Sequence, residues 1–144
     1  MDLLDANILV GTFRSDDPDH PVLKAWIETT LQAGRVITFP PLVEVAFVRI
    51  VTHPRIFRSP SRLAEAVKFL RAIQRSGLFG ETPWTMRIRD RWWSSCLDLD
   101  LHGDDVNDAW LAAIAVETHC RLVSRDQGFA RFPALDWRNP AAPH

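Results

Sequence analysis

The stretch Met1–Val10, MDLLDANILV, decides how the rest of the chain is read. Leu3 and Leu4 read as a short buried strand, Asp5 follows at once, and Ala6 to Val10 begin a helix. In an open α/β sheet the binding crevice lies beyond the carboxyl ends of the strands. An acid that closes a strand and opens a helix stands at that crevice. Asp is also a favoured helix N-cap, its oxygen accepting from an orphan N–H of the first turn. Asp5 alone therefore serves either purpose, and chemistry requires that other acids reach the same place.

Outward from this stretch, helices alternate with short strands. Ser15 to Asp19 is a turn-rich break, and His20 to Ala33 reads as a helix with Pro21 in its first turn and Gly34 at its end. Arg35 to Phe39 is a β-branched strand candidate. Pro40 and Pro41 punctuate it, and the next helix, Leu42 to about Thr52, closes at His53-Pro54. Ser61 to Ser76 is amphipathic: Leu63, Ala66, Val67, Leu70 and Ile73 share one face, with Ser61 as its cap. Thr82 to Thr85 is a short strand candidate, and Met86 to Leu99 a helix carrying Trp92 and Trp93. Asp104 or Asp105 caps a helix from Val106 to about His119. Arg121 to Ser124 is a strand, followed by the turn RDQGF, and Leu135 to Trp137 is a last strand candidate. The Pro-containing tail to His144 is expected to fray. This alternation predicts an α/β fold, a short parallel sheet covered on both faces by helices.

The totals narrow the function classes. A chain of 144 residues fits a single domain spanning 1–144, and 47% hydrophobic with 24% charged residues is ordinary for a soluble globular protein. No apolar run is long enough to span a bilayer, and the acidic N-terminus lacks a signal-peptide pattern. Two unpaired cysteines, Cys96 and Cys120, suit a reducing cytosol, so a cytoplasmic protein is expected. Of 17 basic residues only Lys24 and Lys68 are lysine. Arg makes planar bidentate bonds to phosphate, and a GC-rich genome also favours it. Most of the six tryptophans are expected in the core.

Three further acids stand out. Glu44 lies in PPLVEVAFVRIV, a helix apolar nearly all round, with Phe47, Val48 and Val51 on its face. A buried carboxylate there needs a partner or a metal; a Glu at a helix start can instead reach solvent or the helix dipole. Asp108 sits in the first turn of VNDAWLAAIAVE, with Asp104 and Asp105 near its side. Asp126 follows the strand Arg121–Ser124 and repeats the position of Asp5; its other reading is a turn acid before Gly128. Two strand ends and two helix starts can thus present four carboxylates at one edge of a parallel sheet. Crowded oxygen ligands call for a cation and select Mg²⁺ or Mn²⁺ over zinc.

LLDANIL, Glu44 in its helix, NDAWLAAIAVE and LVSRDQGF resemble, in this order, the four acidic blocks of PIN-domain ribonucleases. Within them the chain is similar to the VapC toxins of type II toxin–antitoxin systems. THPRIFRSPSRLAEA and the closing FARFPALDWRNP resemble stretches of mycobacterial-type members. The resemblance implies a PIN-like parallel sheet with flanking helices, Mg²⁺ or Mn²⁺, cleavage of a structured RNA such as a tRNA or ribosomal RNA loop, and inhibition by a VapB-type antitoxin. It implies Asp5, Glu44, Asp108 and Asp126 as catalytic metal ligands, with Asn7 and Ser124 in support and Asp104 or Asp105 as further candidates. A homodimer fits many family members. Arginines between Arg49 and Arg62 are candidates for holding phosphates. His102, His119, Cys96 and Cys120 lack a zinc spacing, and no phosphate-cradling glycine loop occurs. The rival expectations are a non-cleaving RNA-binding module and a metal-dependent single-stranded DNA nuclease.

Overall fold

A computed structural model of the chain describes residues 1–143. Four strands, β1 (Asp2–Leu4), β2 (Ile37–Thr38), β3 (Arg121–Val123) and β4 (Trp137–Arg138), form one sheet in the order β2-β1-β3-β4. Every pairing is parallel. Six helices complete the fold: α1 (Ala6–Phe13), α2 (His20–Gln32), α3 (Pro41–Val51), α4 (Leu63–Gln74), α5 (Met86–Asp98) and α6 (Asp105–Glu117). A 3-10 turn spans Gln127–Arg131.

The first strand is central because its side chains allow nothing else. Leu3 and Leu4 point to opposite faces and both are wholly buried, so both faces of the sheet are covered, as parallel sheets require. Leu3 pairs with Thr38 on one side and Leu122 on the other. Asp2, also wholly buried, is held by Arg35 and Arg121, which tie β1 to its neighbours at the end remote from the crevice. A buried carboxylate is tolerated when charged donors surround it.

The helices pack in neighbouring pairs, α1 with α2 and α3, α3 with α4, and α5 with α6. Phe13, Phe47 and Phe69 meet between α1, α3 and α4, with ring centroids 5.1–5.5 Å apart. The alanines of α6 let it lie close to β3: Ala109, Ala112, Ala113 and Ala115 are all buried.

The α/β architecture and the parallel sheet agree with the sequence, and several local expectations do not. Residues 82–85 form no strand; Pro83 lacks a ladder donor, and the Thr85 hydroxyl instead accepts from Ile88 N–H as the N-cap of α5. The bridge to β2 is made earlier, between Ile37 and Phe79. Ser61 does not cap α4; it accepts from Arg14. None of the six tryptophans reaches the fully buried core. Trp84, Trp92, Trp93 and Trp110 form a half-exposed cluster where α5 meets α6, with Trp92 and Trp93 stacked at 4.3 Å. The tail folds back, with Ala142 donating to Asn139 and Ala141 packed on the core; its last residue, His144, lies outside the described residues.

Candidate active site

The carboxyl ends of β1 and β3 lie side by side because Leu4 and Val123 are register partners. The residues that follow therefore meet. Asp5 is the N-cap of α1: Oδ1 accepts from Ala6 N–H at 2.7 Å, so the capping role holds. Its other oxygen, Oδ2, accepts from the Ser124 hydroxyl at 2.6 Å and from Asn7 Nδ2 at 3.0 Å. Asn7 also donates to Ser124 Oγ, and its own carbonyl oxygen takes the backbone N–H of Arg125. This ring of bonds stitches the two strand ends together and fixes the Asp5 carboxylate.

Arg125 braces the ring from behind. Its guanidinium donates to the Asn7 carbonyl and to Asp17 and Asp19 in the loop between α1 and α2. Gly11 leaves the space for this: a Cβ there would meet the Leu23 side chain and lie 3.2 Å from the Arg125 guanidinium.

Asp126 caps the 3-10 turn, Oδ1 accepting from Gly128 N–H at 2.7 Å. Asp108 reaches the same edge from the first turn of α6. Burial pushes its carboxyl up to about 6, and the negative charges of Asp126 and Asp5 add to the rise. Burial likewise raises the Asp5 carboxyl, against the lowering effect of its bonds to Ser124 and Ala6. The charge of Asp126 thus acts on both Asp5 and Asp108 across the ends of β1 and β3, a repulsion that a cation would relieve.

Asp5, Asp108, Asp104 and Asn107 line a cleft of about 400 Å³, closed on its α3 side by Leu42 and Arg49. Glu44 is placed differently. It is half-buried on α3, accepts from Gln74 Nε2 at 3.3 Å, and does not line this cleft. The partner that its apolar surroundings called for is the amide of α4. Among the described residues, no three acidic, His or Cys side chains converge into a ready-made metal cage. The donor set is nonetheless all oxygen, the ligand chemistry that suits a hard divalent cation. Arg131 was not singled out by sequence. Its guanidinium reaches Asp105 at 3.0 Å and Asp108 at 3.2 Å. Its place after Asp126 in FARF is the one local signal.

Parallel strand ends crowned with carboxylates define a class. Residues 3–135 match the PIN domain family, and the chain belongs to that family. Within it the chain belongs with the VapC ribonucleases. It is 40% identical to Ribonuclease VapC31 of Mycobacterium tuberculosis over 135 residues, covering 94% of this chain and 95% of that one. It is 38% identical to Ribonuclease VapC25 of the same species over the same shares. The fold matches VapC20 of Mycobacterium tuberculosis, a sarcin–ricin-loop-cleaving toxin, with a TM-score of 0.68 at 16% identity, covering 94% of this chain and 98% of that one. It also matches VapBC2 from Rickettsia felis bound to a promoter DNA fragment, with a TM-score of 0.69 at 17% identity, covering 96% and 97%. No helix among the described residues is long and apolar enough to cross a membrane.

Proposed function

We propose that this chain is the toxin of a type II toxin–antitoxin pair, an endoribonuclease that needs Mg²⁺ or Mn²⁺ and cuts a structured RNA, a tRNA or ribosomal RNA loop. The observation that carries this reading is that Asp5, at the end of β1, and Asp108, in the first turn of α6, line one cleft, with Asp126 near enough for its charge to act on both. Asp5, Asp108 and Asp126 would hold the cation. Asp104 lines the same cleft and Asp105 shares Arg131 with Asp108, so each is near enough to assist. Glu44 would join after giving up Gln74. The cation, when bound, supplies an activated water and neutralises charge developing on the phosphate. Ser124 and Asn7 keep the Asp5 carboxylate oriented, and Arg49 at the cleft wall is placed to meet an RNA phosphate.

A VapB-type antitoxin is the proposed inhibitor, a reading supported by the toxin–antitoxin complexes among the structural neighbours. Self-association as a homodimer is part of the same reading. A cytoplasmic location follows from a target that is cellular RNA.

The test is cleavage of total RNA by antitoxin-free protein with Mg²⁺, with Mn²⁺ and with EDTA, beside folded Asp5→Asn. The expected result is discrete, metal-dependent cuts leaving 5′-phosphate and 3′-hydroxyl ends, reduced at least 100-fold in the variant, as loss of a central charged ligand implies. Cyclic 2′,3′-phosphate ends would overturn the water mechanism. The splayed acids favour one second reading, a non-cleaving RNA-binding module. Tight RNA binding without cuts would establish it, and preferential cutting of single-stranded DNA would establish a DNA nuclease.

A further inference from the structure

The buried Arg14 and the partly buried Arg125 are spent on structure. Arg125 is shared among Asp17, Asp19 and the Asn7 carbonyl, and Arg14 among Asp16, Ser59 and Ser61. Arg131 differs. Both of its carboxylate contacts, to Asp105 Oδ1 and Asp108 Oδ2, are made by Nη2 alone, so Nε and Nη1 are not spent on them. Its side chain is 31% exposed, and its guanidinium carbon lies 5.0 Å from the ring centre of Phe132, a buried residue. The arginine is therefore held at its tip through one nitrogen in a partly exposed ion pair, with Nε and Nη1 outside it. It also ends the 3-10 turn that Asp126 caps, so one short segment delivers both an acid and a cation to the same edge.

We propose that Arg131 is an internal counter-cation of the acid site: it competes with the divalent metal for Asp108, and once the metal takes that carboxylate its guanidinium is released to hold an RNA phosphate. This inference rests on the reading of the site as a metal-dependent ribonuclease. The physical argument is substitution of one positive charge by another. Acids gathered at one edge need a cation, and in the metal-free protein Arg131 supplies part of it by pairing with both Asp105 and Asp108. A partly exposed ion pair is weak, so a divalent ion displaces it readily. The freed fork has the planar, two-pronged geometry that matches a phosphate. Asp105 keeps the arginine within reach of the cleft during the exchange.

The competition makes two effects run in opposite directions, which a merely structural role would not do. Mn²⁺ binding to the antitoxin-free protein is measured by titration calorimetry, with wild type beside Arg131→Gln and Arg131→Met. The methionine retains an unbranched apolar chain and guards against a folding defect in the glutamine variant. The expected result is tighter Mn²⁺ binding, about three- to tenfold, with RNA cleavage at saturating Mn²⁺ lowered at least tenfold. Equal or weaker Mn²⁺ binding by folded variants, where wild type binds the ion, overturns the competition. Tighter binding with undiminished cleavage overturns the phosphate role. Failure of wild type and variants alike to bind Mn²⁺ overturns the metal reading of the site itself, and the inference with it.

Discussion

Asp108 shows how an acid of the candidate site is held at a cost to the fold. Its carboxyl stands at about 6 in the folded chain against an ordinary 3.8, chiefly through burial and then through Asp126 and Asp5. The folded state therefore binds a proton more tightly than the unfolded one between those two values. Stability falls as pH rises from about 4 to about 6 and then stays lowered by this residue at neutral pH. At this half-exposed rim the penalty is about 1–2 kcal/mol after allowance for solvent screening. Asp108→Asn removes the charge and keeps the shape. In metal-free protein at pH 7.5 the variant is expected to be more stable by about 1 kcal/mol, with that gain vanishing below pH 4. Urea unfolding at both pH values checks this, and a variant less stable than wild type at pH 7.5 refutes it. Cleavage by the same variant is expected to fall sharply, so stability and activity part company at this position.

At the level of elements, the site depends on α1 lying close to α2 and to the segment after β3. Gly11 is a point of close approach, because a side chain there would strike Leu23 and crowd Arg125. Gly11→Ala adds helix propensity to α1 but overpacks this junction, and the second effect wins. The expected cost is about 1–3 kcal/mol, visible as a lower denaturant midpoint, and an unchanged or higher midpoint would contradict it. This junction was not legible in the sequence, where Gly11 carries no pattern of its own. What was legible follows from periodicity and punctuation: α2, α3, α4 and α6 fall within a few residues of their expected spans, since apolar spacing and Pro or Gly ends mark them. Strands of two or three residues carry too little pattern, so Thr82–Thr85 read as a strand when its threonine is a helix cap. The placement of Asp5, Asp108 and Asp126 was legible because each follows a strand or opens a helix. The contact of Glu44 with Gln74 and that of Arg131 with Asp108 are tertiary, and no spacing within one element encodes them.

At the scale of the whole molecule, the positive and negative charges nearly cancel, with a net charge of −1, yet they are not evenly distributed. Arg35 and Arg121 sit at the amino end of the sheet on Asp2, while Asp5, Asp108 and Asp126 crowd its carboxyl end. The two ends are not equivalent energetically. The amino end is satisfied by its own arginines and needs nothing further. The carboxyl end retains mutual repulsion that Arg131 relieves only in part. If the proposed function holds, a divalent ion stabilises the whole fold, because it would bind the acids assembled in the native state and find no such cluster in the unfolded chain. At a concentration one hundred times its dissociation constant the gain is about 2.7 kcal/mol. For a domain of this size that raises the melting temperature by about 5–10 °C. Thermal denaturation with Mn²⁺ and with EDTA measures it. The shift is expected to shrink severalfold in Asp5→Asn, whose amide oxygen keeps the Ala6 cap while its Nδ2 donates to Ser124 Oγ, at the loss of the Asn7 bond. A shift of equal size in wild type and Asp5→Asn would place the ion elsewhere on the surface and remove the carboxyl end of the sheet as its site.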